Sequence, residues 1–206
     1  MYSKYLSAFF AVFIFASTAI QAQTQNTAAV SREERFTKLE PKMIYPLIKG
    51  SKMTGVIPIE NISNKPDTDK ELKLIFDFTQ GTFNNAQGTH VNEGLEEVGR
   101  IMNLHIAAGY KKENLKTIII FHSASLLSIL NNEYYQKAYG KPNPNNDLFS
   151  QFQKAGTGLI VCGQSLQFRE LSHTELLPSI QIAFSAKTTL SKYQDKGYIV
   201  FTIDEK

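Results

Sequence analysis

Along this chain, short unbroken apolar runs alternate with stretches in which apolar residues recur every three or four positions. Residues 72–79 (Leu-Lys-Leu-Ile-Phe-Asp-Phe-Thr) read as a first core strand. Val91, Leu95, Val98, Met102 and Ile106 then recur at helical spacing, with Gly109 as a stop. Residues 117–122 (Thr-Ile-Ile-Ile-Phe-His) show no alternation, which predicts a second strand buried on both faces. A short helix starts at Ser123. Residues 131–146, with Tyr134, Tyr135, Tyr139, Pro142 and Pro144, form an irregular excursion. Residues 147–154 are helical and stop at Gly156. Leu159, Ile160 and Val161 make a third strand that ends at Cys162. Gly163 lets the backbone turn, and Ser165 caps a helix reaching Leu171. A fourth strand over 179–184, a helix over 186–196 closed by Gly197 and a fifth strand over 198–203 complete the pattern. Strands separated by helices imply crossover connections. The expected class is α/β, with a mostly parallel sheet and helices on both faces.

The first third of the chain differs. Residues 36–66 hold Pro41, Pro46, Pro58 and Pro66, with Gly50 and Gly55 between short apolar runs. This predicts an extended arm laid over the domain, with one short strand at 55–59. Residues 23–35 are polar and aperiodic and read as a flexible leader. Lys4 followed by the apolar stretch from Ala8 to Ala16 reads as a secretory signal. Ser17 and Ala19, or Ala22, offer small residues for cleavage. The expected organisation is a signal peptide at 1–22, a leader and arm at 23–66 and an α/β domain at 67–206. The expected location is exported, periplasmic or secreted. No other segment approaches the ~20 apolar residues of a membrane span, so no membrane association is expected after cleavage.

Composition narrows the partners. The chain has 206 residues and a formal charge of +3, and loss of Lys4 with the signal lowers that charge by one. About 180 residues then remain, one domain with no need of a disulfide staple. Lys111 and Lys112 are the only adjacent basic pair, so nucleic-acid binding has no support.

The glycines form neither G-x-x-x-x-G-K-[ST] nor G-x-G-x-x-G after a strand. Cys162-Gly-Gln-Ser165 resembles part of a nucleophile elbow, but G-x-S-x-G is missing. His90, His105, His122 and His173 lack metal-ligand spacing, and neither a metal nor a cofactor is expected. Cys162 is the only cysteine. In an oxidising compartment it is buried and inert, paired between chains, or a free reactive thiol. His122 ends the second strand as Cys162 ends the third. On adjacent strands the two would share the carboxyl rim, where α/β folds bind ligands. There a histidine can move the thiol's proton, or simply hydrogen-bond the next turn.

Several runs resemble exported members of the DsrE/DsrF-like family. They are Gly55-Val-Ile-Pro, Lys73-Leu-Ile-Phe-Asp-Phe-Thr79, Asn143-Pro-Asn-Asn-Asp-Leu-Phe-Ser-Gln-Phe, Cys162-Gly-Gln-Ser-Leu, Ala183-Phe-Ser-Ala-Lys-Thr-Thr-Leu and Gly197-Tyr-Ile-Val. The resemblance implies a three-layer α/β/α fold with a five-stranded parallel sheet. Strands two, three and four would lie side by side, with strand one between two and five, so that His122, Cys162 and Ser185 converge. Cytoplasmic members form trimers or hexamers and carry sulfur as a persulfide on a cysteine; Cys162 is the corresponding position. The resemblance thus implies a homo-oligomer and a sulfur donor or acceptor partner. Cys162 and His122 are the expected catalytic pair. Gly163, Gln164, Ser165, Ser185 and Thr79 are the expected ligand-binding residues. The alternative is a non-catalytic ligand-binding or assembly protein of the same fold, with oligomer contacts through Tyr134 and Tyr139.

Overall fold

The computed structural model describes residues 31–81 and 88–204. The expected signal peptide, most of the expected leader and the tip of the loop after the first strand lie outside the described residues.

Five strands form one sheet in the order β4-β3-β2-β1-β5. They are β1 (Leu72–Phe78), β2 (Leu115–Phe121), β3 (Gly158–Cys162), β4 (Gln181–Ala183) and β5 (Ile199–Ile203). Every pairing is parallel. Side chains alternate between the two faces. One face presents Leu74, Phe76, Phe78, Ile119, Phe121, Leu159 and Val161 to the larger core cluster. There they meet α2 (Glu93–Ala107) through Leu95, Val98 and Met102, and α4 (Asn146–Lys154) through Leu148, Phe149 and Phe152. The other face presents Ile75, Ile118, Ile120, Ile160 and Cys162 to Ala186 and Leu190 of α6 (Ala186–Asp195). The fold is therefore a three-layer α/β/α sandwich. Because all strands are parallel, their carboxyl ends share one rim.

Amide side chains stitch the loops around the larger core. Asn92 caps α2, accepting from the amides of Gly94 at 2.9 Å and Leu95 at 3.3 Å. Asn145 Oδ1 accepts from the Asn92 amide at 2.8 Å, and Asn143 Nδ2 donates to the carbonyls of Ser128 and Leu130.

The arm is bound rather than merely laid on. Ile48 is fully buried in the larger core. Fully buried Asn103 of α2 accepts from the amides of Leu47 and Ile48, both at 2.9 Å. Its Nδ2 donates to the carbonyls of Ile48 at 2.7 Å and Thr54 at 2.8 Å. The Ser51 amide donates to buried Glu96. Gln151 pairs with both the amide and the carbonyl of Lys49.

Several elements differ from the sequence reading. The strand expected at 55–59 reduces to one antiparallel bridge between Val56 and Ile44, and Pro58 has no N–H with which to extend it. The last residues of the expected leader begin helix α1 (Arg32–Leu39). It starts from a capping box in which Ser31 and Glu34 bond each other's backbone amides. The excursion after Leu130 contains α3 (Asn132–Tyr139), started by the Asn131 side chain and stopped by Gly140 at φ 73°. Tyr135 of α3 is fully buried, donates to the Gly88 carbonyl and packs on Tyr139. Burial raises its phenol to about 12. Tyr134 is half-buried, with the Lys137 ammonium over its ring. Tyr135 is thus a core residue, while Tyr134 and Tyr139 stay half-buried at the surface of α3. The fourth strand is shorter than expected, because it is an edge strand entered from a turn in which the Ile180 amide bonds Leu177.

Replacing Asn103 with Leu is expected to strand four backbone groups, three of them buried and that of Leu47 partly so. At about 1 kcal/mol or more for each unsatisfied group, the loss should exceed about 3 kcal/mol in urea unfolding. Trypsin cleavage at Lys49 and Lys52 of the native protein should accelerate in parallel.

Candidate functional site

Cys162 is the last residue of β3 and pairs in register with Ala183 of β4. The chain turns directly into α5 (Gly163–Phe168), with Cys162 itself in the N-cap position. The turn requires glycine next. A Cβ on Gly163 would lie 2.8 Å from the Ala183 carbonyl oxygen and 3.4 Å from that of Phe184. After β4, Ser185 caps α6, its hydroxyl accepting from the Thr188 amide at 3.1 Å. Two helices thus start beside one sulfur.

Cys162 is 5% exposed. Burial pushes its thiol up. Hydrogen bonds from the Ser165 hydroxyl and from the amides of Ser165, Ala186 and Gln164 pull it down further, so the net direction is below the ordinary thiol value. Those amides belong to first turns, which have no acceptor within their own helix. They can serve the sulfur at no cost to helical bonding.

Ser165 was expected to cap α5; instead it lies inside the helix, because the strand ends with its cap already at Cys162. Its hydroxyl accepts from the Ser123 amide at 3.2 Å, which leaves its own proton for the sulfur. Ser123 opens the turn after β2 at φ 57°, a left-handed conformation for a non-glycine residue. Its carbonyl accepts from Arg169 Nε at 2.8 Å. The β2 turn is therefore clipped to α5 at both ends of a single residue.

His122 follows β2, whose last pair with β3 is Phe121 with Val161. His122 and Cys162 therefore sit level on neighbouring strands, at the same rim. The imidazole is turned toward β1, with Nε2 2.6 Å from Oδ1 of Asp77. Its Nδ1 lies 3.5 Å from the Ser123 hydroxyl. His122 and Asp77 are 13% and 15% exposed. Among the described residues, no hydrogen bond joins His122 to Cys162.

The other expected residues divide. Gln164 contributes its backbone amide, and its side chain is exposed. Ser185 acts through α6, whose Ala186 amide faces the sulfur. Thr79 is not part of this cluster. Its amide and hydroxyl both donate to the Ile203 carbonyl of β5, at 2.9 and 3.4 Å. Thr79 follows β1, which β2 alone separates from β3.

The sequence reading missed Asp77, Ser123, Arg169 and Ala186. Asp77 had a visible signal: a carboxylate near the end of a strand otherwise apolar from Leu74 to Phe78. The role of Ser123 depends on a backbone conformation, and that of Ala186 on a backbone amide; neither has a residue-type signature. A hollow of about 260 Å³, lined by Lys112, Glu113, Leu115, Lys116, Ala155 and Gly156, lies at the opposite end of the strands, away from this chemistry. Among the described residues, no cluster of three or more His, Cys, Asp or Glu could hold a metal ion. No helix among them is long and apolar enough to cross a membrane.

A search of curated proteins finds no match to this chain. A solved structure of a protein of unknown function from Methanobacterium thermoautotrophicum is similar over 64% of this chain and 98% of its own, with 11% identity and a TM-score of 0.48. The sequence model of the DsrE/DsrF-like family matches residues 75–203, from β1 to the end of β5, and the chain belongs to that family.

Proposed function

We propose that this protein accepts and carries sulfane sulfur on Cys162 as an exported, homo-oligomeric member of its family. The observation that carries the reading is the thiol's environment. A sulfur 5% exposed sits at the N-cap of α5 and pairs in register with Ala183, three residues before α6 begins, and the Ser165 hydroxyl and nearby helix-start amides hold it below its ordinary value. An inert core cysteine needs no such set of donors.

The reaction balances without an outside oxidant. The Cys162 thiolate attacks the terminal sulfur of a donor persulfide, R–S–SH. A bond forms between Sγ and that sulfur while the donor's S–S bond breaks, and R–S⁻ departs. The new Cys162 persulfide loses its proton, His122 relays it, and the donor leaves as R–SH. Amides of Gln164, Ser165 and Ala186 lie where negative charge sits on Sγ before attack. Delivery to an acceptor thiolate runs the same steps in reverse.

The partner surface follows from the same region. Ile182 of the edge strand β4, Phe184 after it and Phe168 at the end of α5 are 51%, 77% and 91% exposed. An unpaired edge flanked by apolar side chains suits a second copy of the chain in a trimer or hexamer. Light scattering should give a multiple of the monomer mass, and the double substitution of Ile182 and Phe184 to Asp should give monomer. Monomer mass for the unsubstituted protein at micromolar concentration would refute the assembly.

The sulfur-carrier reading is tested by incubating the native protein with a low-molecular-weight persulfide and measuring intact mass. One added sulfur atom is expected, removed by dithiothreitol and absent in Cys162→Ser. A thiol that stays unmodified until the protein is denatured would leave the non-catalytic ligand-binding reading in its place.

Alkylation against pH tests the electrostatics. Rate rises with pH as thiolate forms, and a stabilised thiolate moves the midpoint below the ordinary ~8.5. Ser165→Ala removes one lowering hydrogen bond, so its midpoint should move up. Near neutral pH its rate should fall about tenfold, since a hydrogen bond to a charged group is worth on the order of 1.5 kcal/mol.

A further inference from the structure

The rim contains a second pair of groups that the thiol's own environment does not use. Asp77 and His122 are 2.6 Å apart and largely buried. A carboxylate only accepts hydrogen bonds, so His122 Nε2 must be the nitrogen that carries the proton. In the neutral imidazole the other nitrogen, Nδ1, is then the acceptor. It faces the exposed Ser123 hydroxyl at 3.5 Å, on the open side of the rim. Asp77 is held in place by β1, whose register sets it beside Ile120, two residues before His122 on β2.

We infer that Asp77 is a positioning residue: it fixes His122 in the tautomer whose Nδ1 can take a proton from the sulfur chemistry at Cys162. The inference rests on the sulfur-carrier reading and adds a direction to it. In the attack the three sulfurs lie in line, so the departing sulfur sits about two S–S bond lengths, ~4 Å, from Sγ. Neighbouring strands are ~4.8 Å apart. A donor lying along the rim from β3 toward β2 therefore brings its departing sulfur over His122. Lying the other way, it meets the end of β4, where the Ser185 hydroxyl is already committed to capping α6. Of the described residues that close the two neighbouring strands, His122 on the β2 side is the one whose side chain exchanges a proton near neutral pH. Nδ1 accepts the proton released by the Cys162 persulfide and passes it to R–S⁻. His122 ends as it began, and no charge accumulates. With the opposite tautomer, Nδ1 already carries its proton and cannot accept another.

The test uses Asp77→Asn in the full chain, an exchange that keeps side-chain shape. The Asn amide can donate to Nε2, which then becomes the unprotonated nitrogen and leaves the proton on Nδ1. Long-range ¹H–¹⁵N correlation spectra at mildly alkaline pH report which nitrogen is protonated, with His122→Gln assigning the signals. The expected result is an Nε2-protonated His122 in the unsubstituted protein and an Nδ1-protonated one in D77N. Single-turnover persulfide formation from the same small persulfide should fall at least about tenfold in D77N, the low end of proton-transfer catalysis. Alkylation by iodoacetamide needs no proton relay and should not change.

An Nδ1-protonated His122 in the unsubstituted protein overturns the inference, and that spectrum does not depend on D77N folding. So does a D77N protein whose tautomer changes while sulfur transfer keeps its rate. If the unsubstituted protein takes up no sulfur at all, the carrier reading fails and the proton-relay role falls with it; the spectra still decide whether Asp77 sets the tautomer.

Discussion

The parallel register of β2 on β3 is the constraint on which the rest of this site depends. Phe121 opposite Val161 keeps the next residues, His122 and Cys162, level at the rim. A slip of one residue would exchange the faces of β3. Cys162 would then leave the small aliphatic face for the phenylalanine-rich one, away from the α6 amide that stabilises it. Burial of both faces makes that slip costly, because Ile118, Ile119 and Ile120 fill two different cores in turn. The turns beyond the strands secure what the register begins. Ser123 accepts an unfavourable backbone angle, and its amide and carbonyl are both tied to α5.

Two opposing effects meet at the sulfur. An aliphatic pocket disfavours charge on the thiol, and oriented amides favour it. The lowering groups prevail together, the Ser165 hydroxyl first and then amides from two helix starts that converge where β3 and β4 run side by side. Gly163 is needed for that convergence: any larger residue would push α5 away from the β4 carbonyls and carry the Gln164 and Ser165 amides with it. Ser185 does the equivalent work for α6 by occupying the Thr188 amide, leaving that of Ala186 for the sulfur.

Much of this architecture could be read from the sequence, for identifiable reasons. The runs at Leu74, Ile119 and Leu159 lie in strands covered on both faces, and such strands advertise themselves as unbroken apolar segments. The strand-end positions of His122 and Cys162 were legible because each closes an unbroken apolar run just before a turn residue, Ser123 or Gly163. Thr79 closes β1 in the same way, yet its partner is the Ile203 carbonyl. The end of a strand can be read from one sequence, but the neighbour that satisfies it cannot. Tyr135 of α3 shows the same limit: aromatic content marks either a core or an interface, and this ring found the Gly88 carbonyl inside. Asn103 carried no signal at all, since its four partners are backbone groups of an arm roughly fifty residues earlier in the chain.

The separation of Cys162 from His122 has a consequence for how the site titrates. Where a thiol and an imidazole form an ion pair, each proton belongs to both, and neither group has a pKa of its own. Here the sulfur is stabilised by fixed dipoles that do not titrate, and the imidazole is oriented by Asp77 on the far side of β2. The groups that stabilise the sulfur are then separate from the group that orients the imidazole. The proposed sulfur-carrier role would draw on this separation. The cysteine must be ionised to accept sulfur, and the same site must exchange a proton when the sulfur arrives and when it leaves. Splitting the two tasks between adjacent strands of one rigid sheet provides both, using side chains whose positions are already set by the core.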